Sequence, residues 1–526
     1  MSRSSVRTLA GLLLAISVGT PACGPPSDAP PPSEVASLGV PTGATTLLPP
    51  LAQAALDFDL GGALYLGLNY AEWREGALAY VPGHPLGLAR SWEIDGRRLT
   101  YRLETGRRWS DGRPVRAADV AFTFELLADT TLALPLSSVA GRIDSIGTPD
   151  DSTVVFHFDA RYPGMLFDTG VGILPAHVFA GAPRPAMSGG MPLLDRLGPE
   201  GLPVSGPFAL AEWRPGERIV LVRNPAASRP ASLARLAVRV IPDETARAAE
   251  LRAGSLDAAQ INSFRVLRSL AEDGFTTLGV PQRGYDYIAW NPLAHPAFRD
   301  RAVRRALSLA IDRRSLIDAL DMSGFAEPAW GPYGSLFEAL RAPPPHEPLH
   351  DPAEARSLLE AAGWTDADDD GIRERDGEPL SFELRVPAGN DRRADAAEII
   401  QEQLARVGVR VTIASEEFNA LLARLMGGDY EAALMGWQVA LDPDISAFWN
   451  DPAHPLNVVA FADSAASEAI ARALAAPSAG LAAGHWRAAG AAVAAAYPYA
   501  FLWYFDVPLA LGPRLEGVEP GPTGWG

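Results

Sequence analysis

The sequence predicts a mixed α/β protein in which helices pack on sheets. Strand-like runs alternate with helical patterns along most of the chain, as expected when helices cover sheets. Hydrophobic residues make up 48% of the 526 residues and charged residues 21%, which is ordinary for a soluble globular protein. A chain of this length can form about two or three compact lobes, each with its own core.

The predicted strands show alternating apolar residues, and the predicted helices show apolar residues three and four positions apart. In one helix Ala396, Ile400 and Leu404 recur at helical spacing, Gly408 supplies a C-terminal stop, and the strand-like VRVTI follows. The clearest strands are RLTYRLE (98–104), STVVFHFD (152–159), RIVLVRN (218–224) and ARLAVRVI (234–241). The clearest helices cover 302–320, 352–363, 392–408 and 418–429.

The N-terminus predicts export. Arg3 and Arg7 precede the apolar TLAGLLLAISVG, and PAC follows, which is the pattern of a secretory signal peptide, here residues 1–22. The single cysteine, Cys23, lies where a bacterial lipoprotein signal is cleaved and its thiol lipidated, although Thr20 stands where a lipobox usually has Leu. Ordinary cleavage nearby, with Cys23 incidental, is the alternative. With one cysteine, the chain has no internal disulfide.

Residues 23–44 are rich in Pro, Ser, Ala and Gly, so we expect a flexible tether between the lipid anchor and the folded body. The net charge of -18 and the pI of about 4.9 argue against nucleic acid or an anionic membrane surface as the main partner, because both attract clustered Lys and Arg. The charge says little about a small ligand.

One motif suggests a zinc protease. His346, Glu347 and His350 form H-E-x-x-H, which binds zinc when both histidines lie on one face of a helix. Pro348 inside the motif and the run PPP (343–345) before it are incompatible with that helix. We therefore interpret the segment as a connector before a helix capped by Asp351, and predict no metal site.

Other catalytic motifs are missing from the sequence: it contains no G-x-S-x-G, no P-loop and no dinucleotide fingerprint. We predict no catalytic residue, no enzymatic activity and no cofactor. Two functions stay open as alternatives to the one that the resemblance described below implies: an exported hydrolase acting on glycans or peptides, and a surface binding lipoprotein without a transporter.

Six ordered segments stand out after the tether. The longest is LARSWEIDGRRLTYRLETGRRWSDGRPVRAADVAFTFELL (88–127), and SGPFALAEWRPGERIVLVRNP (205–225) is the second. The others are ETARAAELRAGSLDAA, RAVRRALSLAIDRRSLI, DPAEARSLLEAAGW and DYEAALMGWQVALDPD. Together they resemble the family 5 extracellular solute-binding proteins, the dipeptide- and oligopeptide-type receptors of ABC importers. The resemblance covers essentially all of the chain after the tether.

The resemblance implies a bilobal clamp, like a periplasmic binding protein, with discontinuous lobes and an inserted domain. The first lobe would comprise residues 45–70, 205–285 and 497–526, the inserted domain 71–204, and the second lobe 286–496. Ligands are trapped as the lobes close about a hinge. YDYIAWNP (285–292) would cross between lobes and YPYAFLWYFD (497–506) would return to the first.

The implied function is that of a monomeric receptor which captures a peptide or similar small solute in the cleft between its lobes. It would deliver the solute to an ABC permease and ATPase complex, at an extracytoplasmic or periplasmic location, anchored in the membrane by its lipid.

Candidate ligand-binding residues follow from the same resemblance. Trp437 either stacks on a ligand or packs between lobes. Asp442 either pairs with a ligand cation or serves a turn in LDPD. Further candidates, placed by analogy with the family, are Tyr65, Tyr285, Trp290 and Asn291.

Ala440 stands at an informative position. In peptide-binding members of the resembled family, an Asp three residues after the Trp of a Gly-Trp pair holds the α-amino group of the peptide. Counting from Trp437 gives Ala440, which offers neither charge nor hydrogen bond. We therefore expect a ligand that lacks a free α-amine or engages it through Asp442.

The segment DADDDGIRERDG (366–377) begins like a calcium loop, with Asp366, Asp368 and Asp370 at alternating positions. Its twelfth position is Gly377 rather than Glu, so Glu374 or Asp376 would have to substitute. We favour a tight polar turn over a calcium site.

Overall fold

The structure is a computed structural model that describes residues 34–52, 54–74, 77–132, 134, 137–181, 198, 201–281 and 283–518. The signal peptide and Cys23 lie outside the described residues. The chain forms two compact units, one of Met1–Pro281 with Val507–Gly526 and one of Gln282–Asp506. No described helix combines the length and the apolar character needed to cross a membrane.

The strands and helices alternate along both units. The strands are β1 (Val35–Val40), β2 (Ala71–Arg74), β3 (Ala77–Tyr80), β4 (Ala89–Asp95), β5 (Arg98–Leu103), β6 (Ile143–Asp150), β7 (Thr153–Phe158), β8 (Phe208–Arg214), β9 (Arg218–Arg223), β10 (Arg235–Val240), β11 (Ala258–Gln260), β12 (Thr276–Val280), β13 (Gly284–Trp290), β14 (Ala326–Pro328), β15 (Glu374–Arg375), β16 (Glu378–Pro379), β17 (Ser381–Pro387), β18 (Arg410–Glu416), β19 (Ala432–Gln438), β20 (Tyr499–Phe505) and β21 (Val507–Leu511).

The α-helices are Ala55–Leu64, Ala117–Leu127, Ser137–Ala140, Met165–Asp168, Ala176–Phe179, Glu244–Arg252, Phe264–Glu272, Arg301–Ala310, Arg313–Ala319, Pro352–Ala361, Asp391–Ala405, Phe418–Gly427, Ser446–Trp449, Ser464–Leu474 and Ala479–Ala496. Short 3-10 helices cover Pro49–Leu51, Thr130–Leu132, Pro296–Arg299 and Ser335–Leu340.

The first unit contains a seven-stranded sheet in the order β12-β21-β11-β1-β10-β9-β8 and a four-stranded sheet in the order β4-β5-β7-β6. In the large sheet β1 pairs in parallel with β10 and β11. Buried residues of both sheets, such as Val238 and Phe156, belong to one hydrophobic core. The separation of residues 71–204 as an inserted domain stays a prediction.

The predicted tether is too long. Its last ten residues include β1 (Val35–Val40), whose side chains Ala36, Leu38 and Val40 are buried. Because Pro, Ser and Gly surround it, this short strand resembles a tether in the sequence, although its buried side chains alternate with a period of two. Pairing with β10 on one side and β11 on the other holds β1 in the sheet. Only residues 23–33 are left for a tether, and they lie outside the described residues.

The second unit contains a six-stranded sheet in the order β14-β20-β13-β19-β17-β18. β13 is antiparallel to both neighbours, with Tyr285 opposite Trp437 on β19 and opposite Tyr504 on β20. This pairing corrects the predicted lobe boundaries. Residues 497–506, assigned to the first lobe, lie in the second unit, which extends over 282–506 rather than 286–496. The ladder from β13 to β20 requires both strands in one sheet.

Local signals for helix ends were informative. Asp351 caps the helix Pro352–Ala361 by accepting a hydrogen bond from the Glu354 amide at 2.9 Å. The predicted helix 302–320 is instead two helices, because Asp312 caps the second one by accepting from the amides of Arg314 and Ser315. The connector 343–350 is not helical, which confirms that the H-E-x-x-H motif lies on a connector rather than on a helix.

Candidate functional site

One face of the sheet in the second unit is lined by aromatic rings, which we call the aromatic face. Alternating residues of β13 and neighbouring residues of β19 and β20 point to the same side of the sheet. Tyr287 is stacked on Tyr499, with ring centroids 4.0 Å apart, and on Trp437 at 6.0 Å. Tyr285 contacts Phe501 edge-on at 5.0 Å. The aromatic face consists of Tyr285, Tyr287, Trp437, Tyr499 and Phe501.

A largely irregular segment, residues 439–461, packs on the aromatic face and is called the covering segment. Trp449 in its short helix is fully buried, with its ring 4.7 Å from Tyr499 and 5.3 Å from Phe461. Phe448 lies 5.3 Å from Trp437. Trp437 is half-buried, and its Nε1 donates a hydrogen bond to the Tyr499 hydroxyl at 3.3 Å. Trp437 is thus anchored within the unit while remaining partly exposed.

The tyrosine hydroxyls of this face stay protonated near neutral pH. Burial raises the pKa of Tyr285, Tyr287 and Tyr499 well above that of an exposed tyrosine. The face is therefore uncharged, and its polar atoms are hydroxyl and indole groups that can donate hydrogen bonds.

Two of the predicted site residues come together here. Tyr285 and Trp437 are direct cross-strand partners. Asp442 follows in the covering segment, where its Oδ1 accepts a hydrogen bond from the Asp444 amide at 2.9 Å, which favours the turn role. Ala440 is exposed and next to this turn. Trp437, Asp442 and Tyr285 stay predicted ligand contacts.

Trp290 and Asn291 lie at the opposite end of β13 from Tyr285. Trp290 is fully buried against Phe298 and Phe382, and Asn291 donates to the carbonyls of Gly428 and Tyr430 at 3.0 and 2.7 Å. Both side chains have structural roles, so we do not retain them in the proposed site.

Tyr65 belongs to the first unit. Its side chain is 1% exposed and contacts the ring of Trp109 edge-on at 6.5 Å, and its hydroxyl has no hydrogen-bond partner among the described residues. Burial raises its pKa far above the ordinary value. A ligand role for Tyr65 stays a prediction.

On the other face of β13, sequence reasoning missed a charged cluster formed by Asp286, Arg392 and Arg393. Asp286 is 1% exposed, and its two oxygens pair with Arg393 Nη2 at 2.7 Å and Arg392 Nη2 at 3.2 Å. Burial alone would raise the pKa of Asp286, but Arg393 and Arg392 outweigh it and hold the pKa below its ordinary value. The signal in the sequence was two arginines in the first turn of a helix, where the dipole disfavours cations.

The charged cluster also explains the glycine before Trp437. A Cβ at Gly436 would collide with Asp286 Oδ1 and Arg393 Nη2. Arg392 in turn lies over the ring of Phe505, 4.3 Å from its centroid. The cluster thus joins β13, β19 and β20 to the helix Asp391–Ala405.

The Asp-rich loop brings Asp366, Asp368 and Glu374 together, with carboxylate oxygens within 4.8 Å of one another. Asp366 and Asp368 are exposed and accept hydrogen bonds from the amides of Gly371 and Asp370 at 3.0 and 3.2 Å. These contacts form a polar turn, and the preference for a turn without calcium stays a prediction.

Comparisons with known proteins identify the fold and the relatives. The model of the bacterial extracellular solute-binding proteins, family 5 middle, matches residues 85–455. The chain is 28% identical over 463 residues to the oligopeptide-binding protein AppA of Bacillus subtilis, covering 83% of this chain and 81% of that protein.

Solved structures agree with this relationship. The structure of Bacillus subtilis AppA in complex with a nonapeptide is similar with a TM-score of 0.73 and 25% identity, covering 94% of this chain and 97% of that one. NikZ of Campylobacter jejuni in complex with Ni(L-His) has a TM-score of 0.74 at 22% identity, covering 91% and 94%, and supports the fold alone.

Proposed function

The chain belongs to the bacterial extracellular solute-binding proteins of family 5, and on this premise we propose that it is a receptor that captures a peptide or similar small solute for an ABC importer. The observation that carries the proposal is its relationship to AppA over about four fifths of both chains. We propose that the protein binds and delivers its solute without chemically changing it.

Trp437 and the start of the covering segment are the proposed ligand contacts. Trp437 offers a partly exposed ring that is held in place by Tyr287, Phe448 and Tyr499. A side chain held in this way loses little conformational freedom when a ligand binds. The neutral hydroxyls behind it would favour a ligand with polar, uncharged groups at this point.

The absence of a carboxylate at Ala440 narrows the ligand class. Loss of one partner of a buried ion pair costs about 3 to 5 kcal/mol, roughly a hundred- to a thousandfold in affinity. Asp442 already accepts a backbone hydrogen bond within its own turn. We therefore propose a ligand whose recognition does not depend on a free α-amine. For a ligand that does carry a free α-amine, Asp442 is the residue proposed to bind that amine.

Calorimetric titration tests this proposal. The purified protein is titrated with short peptides of two to five residues and with the N-acetylated forms of the same peptides. We expect acetylation to change the affinity by less than about tenfold, whereas the variant Ala440→Asp should prefer the free amine by roughly a hundredfold. Tight binding that requires the free amine and survives Asp442→Ala contradicts the proposal.

We further propose that the protein is extracytoplasmic and is held at the membrane by a lipid on Cys23. This rests on the N-terminal pattern and on the uniqueness of the cysteine. It would act as a monomer and deliver its solute to a permease and ATPase complex. Coexpression of this chain with two permease and two ATPase subunits, followed by co-purification, tests the delivery step.

A further inference from the structure

A small pocket in the second unit collects polar groups that the proposed function does not use. Its lining includes Ser308, Arg313, His346 and Tyr497, with Trp330 and Leu309 among the apolar residues. It shares Tyr499 and Phe501 with the aromatic face but not Trp437. The enclosed part has room for about one water-sized particle, which excludes organic ligands.

Arg313 places a buried positive charge beside this pocket. The residue is 4% exposed, and its guanidinium donates only to uncharged oxygens, among them the carbonyls of Phe501 at 2.6 Å and Ser308 at 2.9 Å and the Ser308 hydroxyl at 2.7 Å. Among the described residues, no carboxylate forms an ion pair with it; Asp312 acts on it only at longer range. Burial lowers its pKa to about 10, so Arg313 remains charged at neutral pH.

His346 presents a hydrogen-bond donor to the pocket. Its Nδ1 is 3.3 Å from Arg305 Nη2, which can only donate, so Nδ1 accepts. A neutral His346 therefore carries its proton on Nε2. This Nε2 is buried and has no partner among the described residues.

The Tyr497 hydroxyl is a second hydrogen-bond donor and lies in a positive electrostatic potential. Tyr497 is 6% exposed, and its hydroxyl has no hydrogen-bond partner of ordinary geometry among the described residues, although the Arg305 guanidinium approaches the oxygen as a donor and leaves the hydroxyl proton available. Burial raises the pKa of Tyr497, and Arg305, Arg301 and Arg313 each act in the opposite direction, so three guanidinium groups are close enough to favour negative charge there. Of these three guanidinium groups, Arg305 is paired with Glu354 at 3.2 Å, whereas Asp312 acts on Arg313 only at longer range.

From these groups we propose that the pocket binds a monatomic anion of the size of chloride. His346 Nε2 and the Tyr497 hydroxyl supply hydrogen-bond donors, and Arg313 supplies a positive charge that forms no ion pair with a described carboxylate. The enclosed space is too small for a carboxylate or phosphate. A neutral water would satisfy the donors but would leave the charge of Arg313 uncompensated. The anion would join the connector 343–350 to the end of the helix Ala479–Ala496, and its presence does not depend on which solute the protein carries.

Thermal unfolding in matched salts tests the proposal. At constant ionic strength, chloride should raise the melting temperature saturably over gluconate, which is too large for the pocket. Tyr497→Phe and His346→Asn should each weaken the apparent chloride affinity by roughly tenfold or more, since each removes a hydrogen bond to a charged group. Tyr497→Phe keeps the ring and the left-handed backbone of Tyr497 (φ 51°), so it is the less disruptive variant.

His350→Gln is the matched control, because His350 belongs to the same connector but pairs with Asp312 at 3.5 Å and does not line the pocket. It should respond to chloride like the parent protein. A crystal soaked in bromide should show an anomalous peak beside His346 and Tyr497. Equal melting temperatures in both salts, a parallel salt response in all variants, or a bromide-free pocket would each overturn the proposal.

Discussion

On one side of β13, Tyr285 and Tyr287 pack against other rings, whereas on the opposite side Asp286 is held by Arg392 and Arg393. The rings contribute buried apolar area, which tolerates changes of similar volume. The ion pairs depend on direction and on an intact partner. The same strand therefore carries one face that can adapt and one face that fixes its position.

The largest effect is expected from Asp286→Asn. The change leaves two mostly buried guanidinium groups without their carboxylate, and breaking a buried ion pair costs about 3 to 5 kcal/mol. Urea unfolding should show this loss. Glu402→Gln, in an exposed pair with Arg406, should leave the free energy of unfolding nearly unchanged. A similar small change for both variants would contradict the assigned role of the charged cluster.

Gly436→Ala should cause the next largest loss of unfolding free energy. The added Cβ collides with Asp286 and Arg393, and forced repacking of this kind costs about 1 to 3 kcal/mol. Gly427→Ala is the control, since a Cβ there meets nothing within 4 Å and alanine suits the helix. If the two variants were equally stable, the charged cluster would be able to move away from the added Cβ without a loss of unfolding free energy.

Acid should remove the contribution of Asp286. Because its folded pKa is lowered, the stabilisation is complete above the unfolded pKa of about 4 and is lost as pH falls through the folded value. The difference in unfolding free energy between the parent and Asp286→Asn should therefore shrink below about pH 4. A difference that is constant from pH 7 to pH 3 would argue against this linkage.

Cys23→Ala should affect neither face, and the free energy of unfolding should stay the same. Its effect is on location: the variant should lose incorporation of labelled fatty acid and should leave the membrane fraction. Unchanged acylation and fractionation would show that Cys23 is incidental to ordinary signal cleavage.

Local signals in the sequence were reliable where short-range chemistry decides the structure. The cap at Asp351, the stop at Gly408 and the effect of Pro348 on the H-E-x-x-H motif all act within a few residues. Motif order was equally informative about the family, because several weak matches in sequence reinforce one another.

Contacts between residues far apart in the sequence could not be predicted from such local signals. Asp286 meets Arg393 across 107 positions, and the lobe boundary depends on β13 pairing with β20, more than 200 positions later. Nothing local marks such contacts. The strand β1 was missed for a related reason, since its neighbours in the sheet, and not its own composition, make it a strand.

The early start of β1 has a consequence for transport at the cell surface. Gly24 to Glu34, eleven residues, separate Cys23 from Val35, and a fully extended chain of this length spans about 40 Å. With Cys23 lipidated, the receptor would search for its importer within a shallow layer above the bilayer. Its encounters with the permease would then be governed by lateral diffusion in two dimensions.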